Sequence, residues 1–220
     1  MQRQAAEGRI TIDQIVRRTL ALLETTWIEA LFSIVLLTGL RVWLANIASA
    51  ALGDGVNIVT WVVSVVIQCE LTRRLLLNLG YPGVRRRYGP MLAIGIATGI
   101  PLVIGFVLLA LPGLYMLARW AICDVVLLAE NTGGAESIST SWERTRSNVP
   151  PIMAALILAY VPSSILGSIL LGLTAPFGFS WVFAFAALPT QIAWVLGWYV
   201  AVAVYHELRP QTRELEQIFA

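Results

Sequence analysis

Four charged side chains lie inside long apolar runs of this chain, and they have the clearest potential for chemistry. A charged group in apolar surroundings is unfavourable unless it is paired. The set predicts either a shared buried polar network, serving as an ion or proton path or as an anchor for a lipid phosphate, or charge pairs that fix the helix arrangement. The four residues are Arg41, Glu70, Arg119 and Asp124.

Their spacing separates these residues into different pairings. Glu70 precedes Arg73 and Arg74 by three and four positions, so it can pair within its own helix. Arg119 and Asp124 are five positions apart, which is about 500° of helical rotation, so they share a helix face poorly. We expect Arg119 to be structurally indispensable, with Asp124 or Glu70 as its counter-charge.

Residue patterns typical of enzymes do not occur in the sequence. It has one histidine, His206, at the end of an apolar run, where an interfacial or capping role is the simpler interpretation. Cys69 and Cys123 both lie within apolar runs, so we expect reduced, buried thiols. No nucleophile elbow, HExxH, Walker loop or CxxC pair is present. The prediction is a non-enzymatic protein without cofactor or metal.

Composition indicates the elements that position these residues. The chain is 58% hydrophobic and 13% charged, with a mean hydropathy of +0.76, whereas soluble domains have about 25% charged residues. This predicts an all-α, polytopic membrane protein. Its six transmembrane spans are expected at about 27–52, 56–79, 91–111, 114–130, 151–173 and 181–205.

The stretch 91–130 must fold back on itself. As a single helix it would be about 60 Å long, twice a hydrocarbon core of about 30 Å. The turn is expected at Pro112 and Gly113, because proline ends a helix and glycine permits the reversal.

All fifteen basic residues are arginines, and with six spans thirteen of them fall on one side of the membrane. The opposite loops carry only Asp54. This bias predicts cytoplasmic N- and C-termini in a bacterial inner membrane, and it argues against nucleic acid as a partner. The thirteen are Arg3, Arg9, Arg17, Arg18, Arg73, Arg74, Arg85, Arg86, Arg87, Arg144, Arg146, Arg209 and Arg213.

Amphipathic segments are expected to flank the bundle at 1–26, at 131–148 and at 206–220. Thr11 and Gln14 form a capping-box pattern at the start of the first; this helix lies on the membrane or, alternatively, packs on a soluble partner. In the second segment Trp142 is expected at the interface, and Glu143 is expected to pair with Arg146. Anionic lipid contacts are predicted for Arg17, Arg18, Arg85, Arg86, Arg87, Arg144 and Arg146.

Small residues at four-residue intervals mark expected helix contacts. Packing within one bundle is the simpler interpretation, and self-association is the alternative. The rows are Gly95 and Gly99 in span three, Ser164, Ser168 and Gly172 in span five, and Ala193, Gly197 and Ala201 in span six.

A longer pattern follows Leu111-Pro112-Gly113: Arg119, then Glu130, then the segment Ser141 to Asn148. With the exit from the last span at Tyr205-His206-Glu207-Leu208-Arg209, it resembles the six-helix bacterial membrane proteins of the YciC-like group. These are related to the membrane domain attached to some glycerophosphodiester phosphodiesterases. The resemblance implies six helices with cytoplasmic ends. It implies no catalytic activity, because the chemistry of the fused enzymes belongs to a separate soluble domain.

Taken together, these features predict a non-enzymatic structural or scaffold protein of the membrane. It would act by self-assembly, as a homo-oligomer, or as an accessory subunit of a larger membrane complex, with contacts to lipid. The alternative is a small transporter or lipid-handling protein that uses the intramembrane charges at a central site. A monomer with a water-filled central cavity ending at Arg119 and Asp124 would exclude the scaffold role.

Overall fold

The computed structural model describes residues 9–47, 55–174 and 180–219, with side chains described in 9–44, 58–173 and 186–209. Every regular element in these ranges is helical. The elements are α1 (Ile12–Ile47), α2 (Gly55–Asn78), α3 (Tyr88–Leu108), α4 (Ala110–Arg119), α5 (Cys123–Glu130), α6 (Gly134–Thr145), a 3-10 turn (Arg146–Asn148), α7 (Val149–Thr174) and α8 (Ser180–Phe219).

The lengths and composition of the helices agree with the predicted membrane protein. Within the described residues, five helical stretches are long and apolar enough to cross a bilayer. The remaining predicted span, α2, carries Glu70, Arg73 and Arg74 in its second half. Composition alone therefore does not identify α2 as a helix that can cross a bilayer. The five stretches are Ile12–Leu44, Tyr88–Leu108, Ala110–Glu130, Gly134–Leu173 and Ala186–Arg209.

Helix α1 starts with the predicted capping box and changes direction at Thr26. The Thr11 backbone N–H donates to Gln14 Oε1 at 2.7 Å, and the Gln14 N–H donates to Thr11 Oγ1 at 3.3 Å. Thr26 has non-helical dihedrals (φ −133°, ψ 30°), and the Tyr199 hydroxyl of α8 donates to its carbonyl at 3.0 Å. The bend therefore lies at the predicted border between the flanking segment and the first span, and α8 stabilises it.

The predicted reversal after the third span exists, but its turn lies earlier than Pro112 and Gly113. The helix is interrupted at Leu109, which is extended (φ −162°, ψ 139°). Pro112 lies in the first turn of α4, where a missing N–H has no intrahelical partner to lose. Gly113 instead allows close packing of the two helices, because a Cβ on Gly105 would lie 3.1 Å from the Gly113 Cα.

Two helices differ from their predicted course. The predicted span 114–130 belongs to one stretch, Ala110–Glu130, that is long and apolar enough to cross a bilayer, but three non-helical residues, 120–122, interrupt its helix between α4 and α5. The tail 206–220 is not a separate helix, since α8 continues through to Phe219. The connections left between the predicted spans, 53–55 and 174–180, lie largely outside the described residues.

The core is centred on α8. Tyr199, Val202 and Tyr205 are at most 1% exposed, and they pack with buried residues from α1, α2, α5 and α7. The outer ends of α3 and α7 carry their large apolar side chains on the surface; Val107 and Leu173, for example, are 79% and 65% exposed. Apolar side chains on the outer surface suit helices that contact lipid.

Candidate functional site: the Asp124 cavity

A cavity of about 570 Å³ lies between α2, α3, α4, α5, α7 and α8. We call it the Asp124 cavity, after the acidic residue in its wall. Its walls are formed chiefly by aliphatic and aromatic side chains, and its volume is in the range of sites that hold drug-sized ligands.

Asp124 is the single charged residue that lines this cavity among the described residues. Its Oδ2 accepts a hydrogen bond from Gln68 Nε2 of α2 at 2.8 Å. Its Oδ1 has the Cys123 thiol at 3.9 Å, a weak donor at a long distance. The carboxylate is thus held in place by Gln68 and keeps acceptor capacity toward the cavity.

Aromatic side chains form much of the remaining wall. Their ring faces offer favourable surfaces for a cation, and their bulk provides apolar contact area. Five of them line the cavity, from four different helices or their ends: Phe106, Trp120, Tyr160, Trp194 and Trp198.

The cavity opens on the outer surface of the helices. Its lining includes Phe106 of α3 and Val161 and Ile165 of α7, which are 44%, 43% and 55% exposed. These side chains are apolar and belong to helices that are long and apolar enough to cross a bilayer.

Arg119 lies beside this cavity but does not line it. Its side chain is buried, and its Cζ is 4.3 Å from the Trp142 ring centroid and 5.9 Å from that of Tyr115. Trp120, which does line the cavity, has its ring centroid 5.8 Å from that of Trp142. The guanidinium is therefore separated from the cavity by its own aromatic enclosure.

The predicted counter-charge of Arg119 is wrong. No ion pair to Asp124 or Glu70 forms, and Arg119 Nε and Nη1 are buried without an acceptor in the described part of the chain. Trp142 takes the place of a carboxylate as the partner, so it packs against Arg119 instead of acting only as an interfacial anchor. Cation–π contact is a physically adequate substitute because Arg119 is only 2% exposed, so solvent weakens the attraction little.

Helix α6 holds Trp142 in this position through a row of small hydroxyl residues. The Ser141 hydroxyl donates to the Arg119 carbonyl at 2.8 Å. The Thr145 hydroxyl shares its single proton between the Arg119 carbonyl at 3.1 Å and the Ser141 carbonyl at 2.8 Å. The two hydroxyls satisfy an acceptor that the end of α4 leaves unpaired. Ser137, Ser141 and Thr145 are all fully buried, and their four-residue spacing is a signal in the sequence compatible with an inward face.

The four intramembrane charges do not form one network. Glu70 pairs with Arg73 at 2.8 Å and Arg74 at 3.5 Å, as their spacing predicts, and with Arg86 at 3.0 Å. The carboxylate of Glu70 raises the pKa of the Arg86 guanidinium, chiefly by hydrogen bonding. Arg41 is exposed, and it lines a separate pocket of 370 Å³ with Ser164, Ser168 and Thr190. Of the two alternatives drawn from the sequence, the described residues do not form the shared network, and Glu70 takes part in the charge pairs.

Most of the arginines predicted to contact lipid have protein partners. Arg17 pairs with Asp13, Arg18 with Glu207, Arg86 with Glu70 and Arg144 with Glu130, while Arg87 donates to the Thr132 carbonyl. Arg85 and Arg146 are exposed and have no partner in the described residues. The expected Glu143–Arg146 pair is likewise not formed there.

The rows of small residues have different environments. A Cβ on Gly197 would clash with the Tyr160 hydroxyl, and one on Gly95 would lie 3.0 Å from the Trp61 ring, so these two glycines pack within the bundle. Ala193 is buried and Ala201 lines the Asp124 cavity. Gly99 has no atom near its would-be Cβ, and Ser164, Ser168 and Gly172 of α7 are exposed.

Comparison with protein-family models, curated proteins and solved structures finds no match to this chain. The site must therefore be interpreted from its own geometry.

Elsewhere in the described residues, His206 Nδ1 lies 3.0 Å from the Tyr81 hydroxyl, and Cys69 and Cys123 are buried free thiols. No group of three or more potential metal-ligating side chains occurs in this part of the chain.

Proposed function

We propose that this chain is a six-span membrane protein that takes an amphipathic small molecule from the bilayer into the Asp124 cavity. It would act as a small transporter or lipid-handling protein, which is the alternative drawn from the sequence. The observation that carries the proposal is a 570 Å³ cavity, lined by one carboxylate and by exposed apolar residues at its opening. A purely structural bundle has no need of such a space, because cavities weaken packing.

Blocking the cavity tests this proposal. Ala201 lines it and is partly exposed, so Ala201→Trp fills the space without replacing a charged group. The matched control is Ala135→Trp, on an exposed position of α6. Native mass spectrometry of the detergent-purified protein should detect a bound amphiphile in wild type and in Ala135→Trp, and not in Ala201→Trp. Equal occupancy in all three proteins would refute the proposal.

The proposed topology places both termini in the cytoplasm and counts α2 as the sixth span. Its charges support this assignment because Glu70 neutralises part of the arginine cluster at one end of the helix. Maleimide labelling of intact cells tests it, since the native cysteines are buried. Asp54→Cys should react with an impermeant reagent from outside, and Arg85→Cys only after the membrane is permeabilised. The reverse pattern would contradict the topology.

A scaffold role is the second candidate, and one observation favours it. The row Ser164, Ser168 and Gly172 is exposed on α7, where it permits close approach of another helix. Under this role Ser168→Leu should convert an oligomer into a monomer in mild detergent. A monomer in both forms would remove this candidate. Membership of the YciC-like group stays a prediction.

Contact with anionic lipid headgroups is proposed for two positions. Arg85 and Arg146 are exposed and unpaired in the described part of the chain. An arginine near an anionic surface contributes about 1 kcal/mol of attraction. The double variant Arg85→Gln/Arg146→Gln should bind fewer anionic lipids after purification than wild type, whereas Arg17→Gln, which only breaks an exposed pair with Asp13, should not.

A further inference from the structure

We infer that the ligand of the Asp124 cavity is a lipophilic organic cation, a positively charged group carrying apolar or aromatic substituents. This inference rests on the proposed function and names its substrate class. Three features of the cavity support it independently: its charge, the chemistry of its walls and the location of its opening.

The charge of the cavity wall is negative. Asp124 is the one charged residue among the described residues that line it. Gln68 donates to one carboxylate oxygen, and no arginine pairs with the carboxylate in the described part of the chain. Arg119, the nearest basic residue in sequence, is enclosed by Tyr115 and Trp142 outside the cavity. A cationic ligand would supply the missing counter-charge, whereas a lipid phosphate would add a second negative charge.

The chemistry of the walls suits the same ligand. Cation–π attraction requires a cation within about 6 Å of a ring face. Trp120, four residues before Asp124 in the chain, lines the cavity together with Trp198 of α8 and Tyr160 of α7. The rest of the lining is largely apolar, so a small hydrated ion gains little there. A cation with apolar substituents satisfies both the carboxylate and the walls.

The opening suits a ligand that partitions into the bilayer. Val161 and Ile165 at the opening are exposed apolar residues of a helix that can span the membrane. A lipophilic cation concentrates in the membrane and reaches this opening without crossing water. A hydrophilic cation would have to pass the same apolar surface at a large desolvation penalty.

The test uses two probes of the same shape and opposite charge, tetraphenylphosphonium and tetraphenylborate. Binding of each to the purified full chain in detergent is measured by equilibrium dialysis, with protein-free micelles as the baseline. We expect saturable binding of tetraphenylphosphonium only. Because Asp124→Asn removes the counter-charge and keeps the side-chain shape, it should weaken this binding by at least about tenfold. Glu136→Gln neutralises an exposed carboxylate on α6 and is the matched control that should bind as wild type does.

A second variant keeps the inference testable if Asp124→Asn does not fold. Trp194 lines the cavity and is 40% exposed, so Trp194→Leu should preserve the fold and weaken tetraphenylphosphonium binding several-fold. Equal binding of both probes, or binding that neither variant changes, would overturn the cation assignment. The proposed function would still hold after such a result if mass spectrometry detects a bound amphiphile in wild type and not in Ala201→Trp. Absence of any cavity ligand in that experiment would overturn both.

Discussion

The contact between Arg119 and Trp142 should contribute a measurable coupling free energy to folding. The Arg119 guanidinium is 2% exposed and lies 4.3 Å from the Trp142 ring centroid. It has no ion pair in the described residues. A double-mutant cycle isolates the contact: Trp142→Leu is introduced into wild type and into Arg119→Met, which keeps an unbranched apolar stem without the charge.

The expected magnitude follows from the desolvation of this site. A cation–π contact contributes about 0.5–1 kcal/mol when exposed and about 2 kcal/mol or more when desolvated. Tyr115, at 5.9 Å, lies near the limit of useful distance and retains a small share of the attraction. Packing lost with the indole ring is common to both backgrounds and cancels. We therefore expect Trp142→Leu to destabilise wild type by about 2 kcal/mol more than it destabilises Arg119→Met.

The assay is equilibrium unfolding in mixed micelles with increasing sodium dodecyl sulfate, followed by circular dichroism. Trp27→Leu is the matched control, because Trp27 is 59% exposed on α1. Its effect should be equal in both backgrounds. A coupling free energy below about 0.5 kcal/mol for the Arg119–Trp142 pair, within the range that independent sites show, would refute the view that Trp142 replaces a counter-charge.

Two further predictions concern hydrogen bonds that fix the helices around the site. Ser141→Ala or Thr145→Val alone should destabilise the fold by about 1 kcal/mol. The double variant should destabilise it by about 2–3 kcal/mol, because the second loss leaves the buried Arg119 carbonyl unsatisfied. A double variant as stable as either single one in the same unfolding assay would contradict this. Tyr199→Phe removes the hydroxyl that contacts Thr26 at the bend of α1, and it should destabilise the fold by about 1–3 kcal/mol. Tyr115 is an exposed tyrosine, so Tyr115→Phe should have little effect.

The reversal between α3 and α4 was predictable in kind but not in position. The length of the apolar stretch requires a fold-back, because a single helix would exceed the bilayer. Its location depends on packing between the two helices, where Gly105 and Gly113 approach closely. Proline is tolerated in the first turn of a helix, so Pro112 did not mark the turn itself.

The surroundings of Arg119 were not predictable from local sequence. Its partner Trp142 lies on α6, beyond α5 and a loop. Hydropathy also does not reveal the break between α4 and α5. At this break the Arg119 carbonyl accepts hydrogen bonds from hydroxyls of α6 and not from any neighbour in sequence. The four-residue spacing of Ser137, Ser141 and Thr145 is compatible with an inward face, but it does not say what that face meets.

The sequence by itself determined the membrane class, the helical content, the need for a hairpin and the pairing of Glu70 with Arg73 and Arg74. These depend on composition, on length and on neighbours within one helix, which are local properties. Only the tertiary structure decided where Arg119 and Asp124 go. One is enclosed by aromatic rings and the other faces a cavity, because distant helices supply the groups around each of them.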